Sequence, residues 1–463
     1  MKIIILGAGR VGESVAENLG SERNDITMVD TDPQRLRDLE DRLELRGVPG
    51  NGIQPSVLRE AGIEDADMLI ACAERDETNL VVCKLAKSLF HVPTTIARLR
   101  SPEFQTGSDL LGAEGFGVDR VICPEDSVMG YIDELIQYPE ALQVLHFSQG
   151  RASLVAVRVT PGSRLAGHTI ASFRERFPEA EMRVVAVYRH GLDITPSVET
   201  RIHEGDEVFV VAARHQLRDV LLALHHRDQP VQRVMIAGGG RVGLRLARRL
   251  AETCQVKLLE QDKRRCEYLA AELPNHVLVL RGDATDEDLL REEGVDDVDL
   301  FLSLTSDDED NIMAAMLAKR MGARRVMALI NRRAYADMME GSTIDIAISP
   351  SQAVIGELLA HVRRGDVAAV HSLRRGAAEA IEAVVRGDRK TSKLAGRRVE
   401  ELKLPAGASL GVIVRGEGEA ARVLMPHHDT TFEDSDHVIL FLRDKRRIRE
   451  VEALFQVSAT FLF

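Results

Sequence analysis

Short apolar runs alternate with amphipathic stretches along the opening quarter of the chain. Residues 2–6, Lys-Ile-Ile-Ile-Leu, suit a strand buried on both faces. Residues 10–19 have helical spacing, with Val11, Val15, Ala16 and Leu19 on one face. A second strand is expected at 26–29, and Asp32-Pro33 opens a helix with proline in its first turn. Residues 68–71 predict a strand, 77–89 a helix, and 94–99 a strand rich in β-branched residues. Such alternation predicts a parallel sheet wound on both faces.

The pattern changes after Pro124. Residues 127–138 predict one long helix ending at Pro139. Strands follow at 153–159, 182–188 and 207–212, turning at Pro161-Gly162 and His190-Gly191, and a helix at 214–225 closes the segment. This is a small α+β lobe, near the lower size at which one core is self-sufficient.

The whole arrangement then recurs. Ile3-Ile4-Ile5-Leu6-Gly7-Ala8-Gly9-Arg10-Val11-Gly12 is matched by Val234-Met235-Ile236-Ala237-Gly238-Gly239-Gly240-Arg241-Val242-Gly243, offset by 231. Asp76-Glu77-Thr78-Asn79 is matched by Asp308-Glu309-Asp310-Asn311, offset by 232, which places a one-residue slip near Arg23 to Asp25. A register held this long indicates a duplicated unit. Pro350 stands where Pro124 stood, 351–362 is the second linking helix, and His226 to Pro230 joins the halves. The expected fold is α/β: duplicated Rossmann-like parallel-sheet domains at 1–123 and 232–349, each followed by a small α+β lobe, at 141–227 and 367–454.

A strand, then G-x-G-x-x-G, then a helix is a dinucleotide-binding fingerprint. Gly7 allows the tight turn, Gly9 lets a pyrophosphate approach the backbone, and Gly12 lets the helix lie close to the sheet. N–H groups at the helix start and the positive end of its dipole then hold the anion. Gly238, Gly240 and Gly243 supply the same set again. Asp30 follows Gly12 by 18 residues and Glu260 follows Gly243 by 17. A carboxylate there accepts from ribose hydroxyls and repels a 2′-phosphate, which disfavours NADP but leaves NAD, ATP, ADP and AMP open. Arg10 and Arg241 share one loop position, facing phosphate or solvent. Arg98 ends the fifth strand; its expected match is Ile330, followed by Asn331, so the second half lacks that charge.

Other groupings read as structure. His427-His428-Asp429 lacks a third metal ligand at a usable spacing and reads as a solvated turn. Asp307-Asp308-Glu309-Asp310 reads as the acidic start of a helix. No Tyr-x-x-x-Lys pair, G-x-S-x-G elbow, G-x-x-x-x-G-K-[ST] loop or contextual Cys–His pair follows either fingerprint. Two nucleotide-type domains without a substrate domain point to sensing, with no catalytic residues and no metal. The rivals are an NAD-dependent oxidoreductase and a non-catalytic interaction scaffold.

Charge and composition narrow the partners. The 463 residues carry a formal charge of −13, which repels nucleic-acid backbones and anionic lipid heads. Aromatics are 4% with no Trp, so a base-stacking platform is also disfavoured. No apolar run approaches a membrane span. The apolar start ends at Arg10, with Glu13 beyond, so it forms no signal peptide. Five scattered cysteines suit a reduced, cytoplasmic compartment.

Taken together, the 3–12 motif, Val29-Asp30-Thr31-Asp32, Asp76-Glu77-Thr78-Asn79, Ala97-Arg98, Gly282-Asp283-Ala284-Thr285 and the duplicated order resemble the RCK (KTN) family of ligand-sensing domains, which regulate potassium channels and transporters. The resemblance implies a regulatory subunit on the cytoplasmic face of the inner membrane, docked to a membrane-embedded Trk-type potassium transporter. It implies NAD(H) and ATP or ADP as ligands and a homo-oligomeric ring, expected to be a tetramer. It carries over Gly7, Ala8, Gly9, Arg10, Val11, Asp30, Ala73, Glu74 and Arg98 as contacts. One element departs: Gly282-Asp283-Ala284 reads Gly50-Asn51-Gly52 in the first half, so Asn51 lacks the charge of Asp283.

Overall fold

The apolar run Lys2–Leu6 is strand β1 of a parallel sheet, its last four residues buried. The computed structural model describes residues 1–20, 24–101, 103–104, 109–178, 181–224, 230–339, 343–362, 366–373, 378–416 and 418–457. With β2 (Asp25–Asp30), β3 (Arg46–Pro49), β4 (Met68–Ala71), β5 (Thr94–Arg98) and β6 (Arg120–Ile122), β1 forms a sheet ordered 3-2-1-4-5-6. This doubly wound order reverses beside β1, and ligands of such folds sit at the carboxyl ends of the strands there. Helices Arg10–Gly20 and Asp76–Phe90 follow β1 and β4, as periodicity expects. β3 and β6, of four and three residues, carry too little periodicity to stand out.

The first lobe is antiparallel: β7 (Ala141–Phe147), β8 (Ala152–Arg158), β9 (Met182–Arg189), β10 (Leu192–Ile194) and β11 (Glu207–Ala213), ordered 10-9-11-8-7. β7 begins two residues after Pro139, where sequence alone marks no strand. The second parallel sheet is β12 (Arg233–Ala237), β13 (Gln255–Glu260), β14 (Leu278–Arg281), β15 (Leu300–Ser303), β16 (Arg325–Leu329) and β17 (Ile346–Ile348), ordered 14-13-12-15-16-17. The second lobe holds β18 (Val367–Leu373), β19 (Ala378–Val384), β20 (Ala408–Arg415), β21 (Arg422–Leu424) and β22 (His437–Leu442), ordered 18-19-22-20-21. Most of the predicted joining segment, 226–229, lies outside the described residues.

Strand registers correct two expectations about the repeat. The offset is 231 at the glycines, 230 at Asp30 and Glu260, and 232 at Gly50 and Gly282, so there is more than one slip. A further slip follows Asn79, because helix Asp76–Phe90 is one residue longer than Asp308–Met321. Ala97 pairs with Ala71 as Ala328 pairs with Ser303, so Arg98 matches Leu329, not Ile330. The charge is still missing in the second half.

The chain divides into two compact units. One is Met1–Ser127 with Pro350–Leu359; the other is Val128–Ser349 with Ala360–Phe463. Most of each linking helix, Pro124–Gln137 and Pro350–Val362, therefore belongs to the unit of the other parallel-sheet module. In the second unit the Arg325 guanidinium, at the start of β16, donates to the carbonyls of Leu135, Pro139 and Ala141. Asp133 of the linking helix lies 3.0 Å from Arg249. The two lobes of this unit share one core, in which the tilted rings of Phe209 and Phe441 meet with centroids 5.3 Å apart. Lobes of marginal size thus pool their apolar faces. Between them, the buried Glu382 carboxylate accepts from Ser148 N (2.8 Å) and Oγ (3.0 Å).

Candidate functional site

The first glycine loop turns directly over the strand ends. Gly7 has φ 101°, and a Cβ there would meet Ala73 N and Cys72 C at 2.9 Å. A Cβ on Gly12 would lie 1.9 Å from Gly7 O. Only glycine fits either position. At Gly9 a Cβ would meet nothing within 4 Å, so the loop is open on the side where a phosphate would approach. Val11 is buried beneath the loop and Arg10 stands exposed at the helix start.

Asp30 closes the cradle. Its carboxylate accepts from Ala8 N at 2.6 Å and Asp32 N at 2.9 Å. Gly50 N donates to Asp30 O, which brings Asn51 alongside; the Asn51 side chain accepts from Ile53 N at 3.2 Å. Asn79, fully buried, clamps the far rim: it accepts from Ala73 N and donates to the carbonyls of Ala73 and Arg98. Asp76 accepts from Arg100 N and Ser101 N, both at 2.9 Å. Glu74 is exposed beside this rim.

Arg98 is 8% exposed. Its Nη1 makes a long contact with Cys72 O, at 3.5 Å, and its buried Nε has no hydrogen-bond partner among the described residues. Burial, then the neighbouring Arg100 charge, lowers the affinity of this guanidinium for its proton. The buried Nε of Arg100 likewise lacks a hydrogen bond, with Glu125 3.7 Å away. Buried donors left unmade are costly, and an anion would satisfy them.

The second cradle repeats the geometry with different groups. Gly238 has φ 105°, a Cβ on Gly243 would lie 2.0 Å from Gly238 O, and Gly240 is open like Gly9. Glu260 accepts from Gly239 N at 2.9 Å and Asp262 N at 3.0 Å. Gly282 N donates to Glu260 O, placing Asp283 beside it. The Asp283 carboxylate accepts from Thr285 N and Oγ1, which holds it below the usual range. Asn311 repeats the Asn79 clamp on Thr305 and Leu329. Arg241 is exposed, and Arg265, absent from the sequence reading, donates to Gly239 O at 2.7 Å.

The structure thus brings the fingerprint glycines, each strand-end acid and the Asn51 or Asp283 loop together in both halves. Sequence reasoning missed Arg100, and it quoted Asn79 and Asn311 without a role. The matched Asp-Glu-x-Asn motifs were the available signal. Among the described residues no group of three or more His, Cys, Asp or Glu could hold a metal ion, and no helix is long and apolar enough to cross a membrane.

Comparison with known proteins agrees with this architecture. The TrkA-N domain matches residues 3–124 and 234–350, and the TrkA-C domain residues 154–225 and 389–456. Trk system potassium uptake protein TrkA of Vibrio alginolyticus is 51% identical over 463 residues, covering the whole of both chains. The protein of that name from Haemophilus influenzae is 45% identical, again over both whole chains. The GsuK RCK domain shares the fold, with a TM-score of 0.60 at 20% identity over 98% of this chain and 95% of that one. The GsuK channel bound to NAD gives 0.59 at 20% identity, over 98% and 79%. The chain therefore belongs to the TrkA family of Trk system potassium uptake proteins, built from two TrkA-N and TrkA-C pairs.

Proposed function

We propose that this chain is a non-enzymatic, nucleotide-sensing regulatory subunit of a membrane-embedded Trk-type potassium transporter, acting at the cytoplasmic face of the inner membrane. The observation that carries the reading is the pair of open glycine cradles, one with the unsatisfied Arg98 at its rim. Gly7 to Gly12 and Gly238 to Gly243 hold phosphates through backbone N–H groups. Asp30 and Glu260 accept from ribose, and Asn51 and Asp283 flank the adenosine end. Arg98 and Arg100 take the terminal phosphates of ADP or ATP, while NAD(H) uses the same cradle through its pyrophosphate. The names of the relatives support the potassium-uptake role, and an NAD-bound RCK neighbour supports the ligand class.

Several copies assemble as a ring, expected to be a tetramer. Matching helices leave apolar side chains exposed in both modules: Val81 and Leu89 in the first, Met313 and Met316 in the second. Nucleotide binding acts on the transporter only through differential affinity for two arrangements of the assembly.

A thermal-shift panel of NAD, NADH, NADP, ATP and ADP tests the ligand class. A ligand at 100 times its dissociation constant should stabilise the chain by about 2.7 kcal/mol. Pull-down from membranes, followed by ion flux with the retained partner, tests the transporter role. No shift with any nucleotide and no retained membrane partner would sink the reading.

A further inference from the structure

The two cradles share a loop and a ribose acid but differ in charge along the rim where a ligand's phosphates would lead. Hydrogen bonding fixes the equivalences. Asn79 N donates to Arg75 O as Asn311 N donates to Asp307 O, so Arg75 corresponds to Asp307. Asn79 reaches Arg98 O as Asn311 reaches Leu329 O. Asp76 accepts from Arg100 N as Asp308 accepts from Asn331 N, so Arg100 corresponds to Asn331. Three guanidinium groups of the first rim are thus replaced by a carboxylate, an isobutyl group and a carboxamide, while Ser101 is replaced by Arg332, whose guanidinium is held by Glu309 at 2.7 Å.

The replacements also remove the unmet donors. Arg98 and Arg100 each bury an Nε without a hydrogen bond, whereas Asn331 donates through Nδ2 to Asp308 at 2.8 Å. Asp307 is turned to the helix start, accepting from Asp310 N. The Asp310 carboxyl is pushed upward by desolvation, then by Asp307, Asp283 and Glu309, as expected of a crowded acidic rim.

We infer that the second module is selective for a dinucleotide and rejects nucleoside triphosphates, while the first accepts both. This rests on the nucleotide-sensing reading above. The pyrophosphate of a dinucleotide is esterified at both ends, so loop N–H groups and the helix dipole suffice for it. ATP ends in a doubly charged phosphate that needs fixed cations, and the second rim offers carboxylates and an Arg332 already neutralised by Glu309.

The test is calorimetry on the full chain with NAD and with ATP, in magnesium-free buffer. The wild-type chain should bind two NAD but one ATP. Gly9→Leu should cut ATP affinity by more than about tenfold and keep one NAD site. Gly240→Leu should leave ATP unchanged and remove one NAD site. Neither glycine has a positive φ and neither Cβ would meet an atom within 4 Å, so both variants should fold. Adding Asp307→Arg and Asn331→Arg to the Gly9→Leu chain should restore ATP binding by about tenfold. Two ATP per wild-type chain, or undiminished ATP binding by Gly9→Leu, would overturn the selectivity but leave nucleotide sensing standing. A wild-type chain that bound neither nucleotide would overturn both.

Discussion

At the scale of single residues, the two cradles are volume-matched variants of one design. The first pairs Ala8 with Asp30 and the second pairs Gly239 with Glu260. A Cβ on Gly239 would lie 2.3 Å from Leu269 Cδ1 and 3.0 Å from Glu260 Oε2, so the longer acid goes with the smaller residue. Gly239→Ala is expected to lower nucleotide affinity at the second site, and Glu260→Asp in the same chain to recover part of it; calorimetry on the single and double variants reads this coupling. Gly52 shows a similar match, since its Cβ would meet Leu6 Cδ1 at 2.2 Å, and the corresponding pair is Ala284 and Ala237. Asp30→Asn keeps the shape but removes the charge. It should weaken binding of both NADH and ATP by roughly 1.5–3 kcal/mol. Unchanged affinity for both would remove Asp30 from the site. The acids and glycines were legible in sequence because each has one spacing-dependent job. The orphaned nitrogens of Arg98 and Arg100 were not, because burial depends on everything packed around β5.

At the scale of elements, the carboxyl edge of each parallel sheet is held by the first turn of one helix. Asn79 ties the loop after β4 to the end of β5 with three hydrogen bonds, and Asn311 does the same in the second module. Asp76 and Asp308 fasten the next turn. Asn79→Ala would leave buried N–H and C=O groups without partners. We expect a loss of about 2–4 kcal/mol in urea denaturation, accompanied by weaker nucleotide binding at the first site. A fully stable variant would show that water takes over the clamp. Strand and helix identity was readable from periodicity. The register slips were not, because a residue added at the end of a helix leaves its apolar face intact while shifting everything after it.

At the scale of the whole molecule, the two lobes are stabilised as a pair. His371 is half-buried against their common core, edge-on to the core residue Phe147 at 4.9 Å, with Nε2 3.2 Å from His146 O. Burial pushes its pKa down to about 4, against the opposing pull of the His146 carbonyl and the Glu382 charge and alongside the His146 ring. Burial alone would raise the Glu382 carboxyl, but hydrogen bonds from His437 and Ser148 outweigh it and hold it below its ordinary range. His371 is therefore neutral when folded, while an unfolded chain takes up its proton near pH 6.5. Stability from this group is present above that pH and is lost as pH falls toward 4, by at most about 3 kcal/mol. His371→Phe should flatten the fall in urea midpoint between pH 6.5 and 4. Identical slopes for both proteins would show that the protonation lies elsewhere.

The linear pattern sufficed for the duplicated modules, the small lobes and the paired cradles. Strand periodicity, turn glycines and acid spacing are local properties, and the chain states them twice, once in each half. Which linking helix joins which module, and that the lobes merge their cores, emerged only in three dimensions. The linking helices are amphipathic whichever sheet they serve, so their sequence contains no partner. The choice is made by contacts between residues far apart in the chain, such as Arg325 with the carbonyls of Leu135, Pro139 and Ala141, or Ser148 with Glu382. The difference between the two rims belongs to the same class. The residues were visible one by one, but only strand register and hydrogen bonding set Arg98 against Leu329 and Arg75 against Asp307.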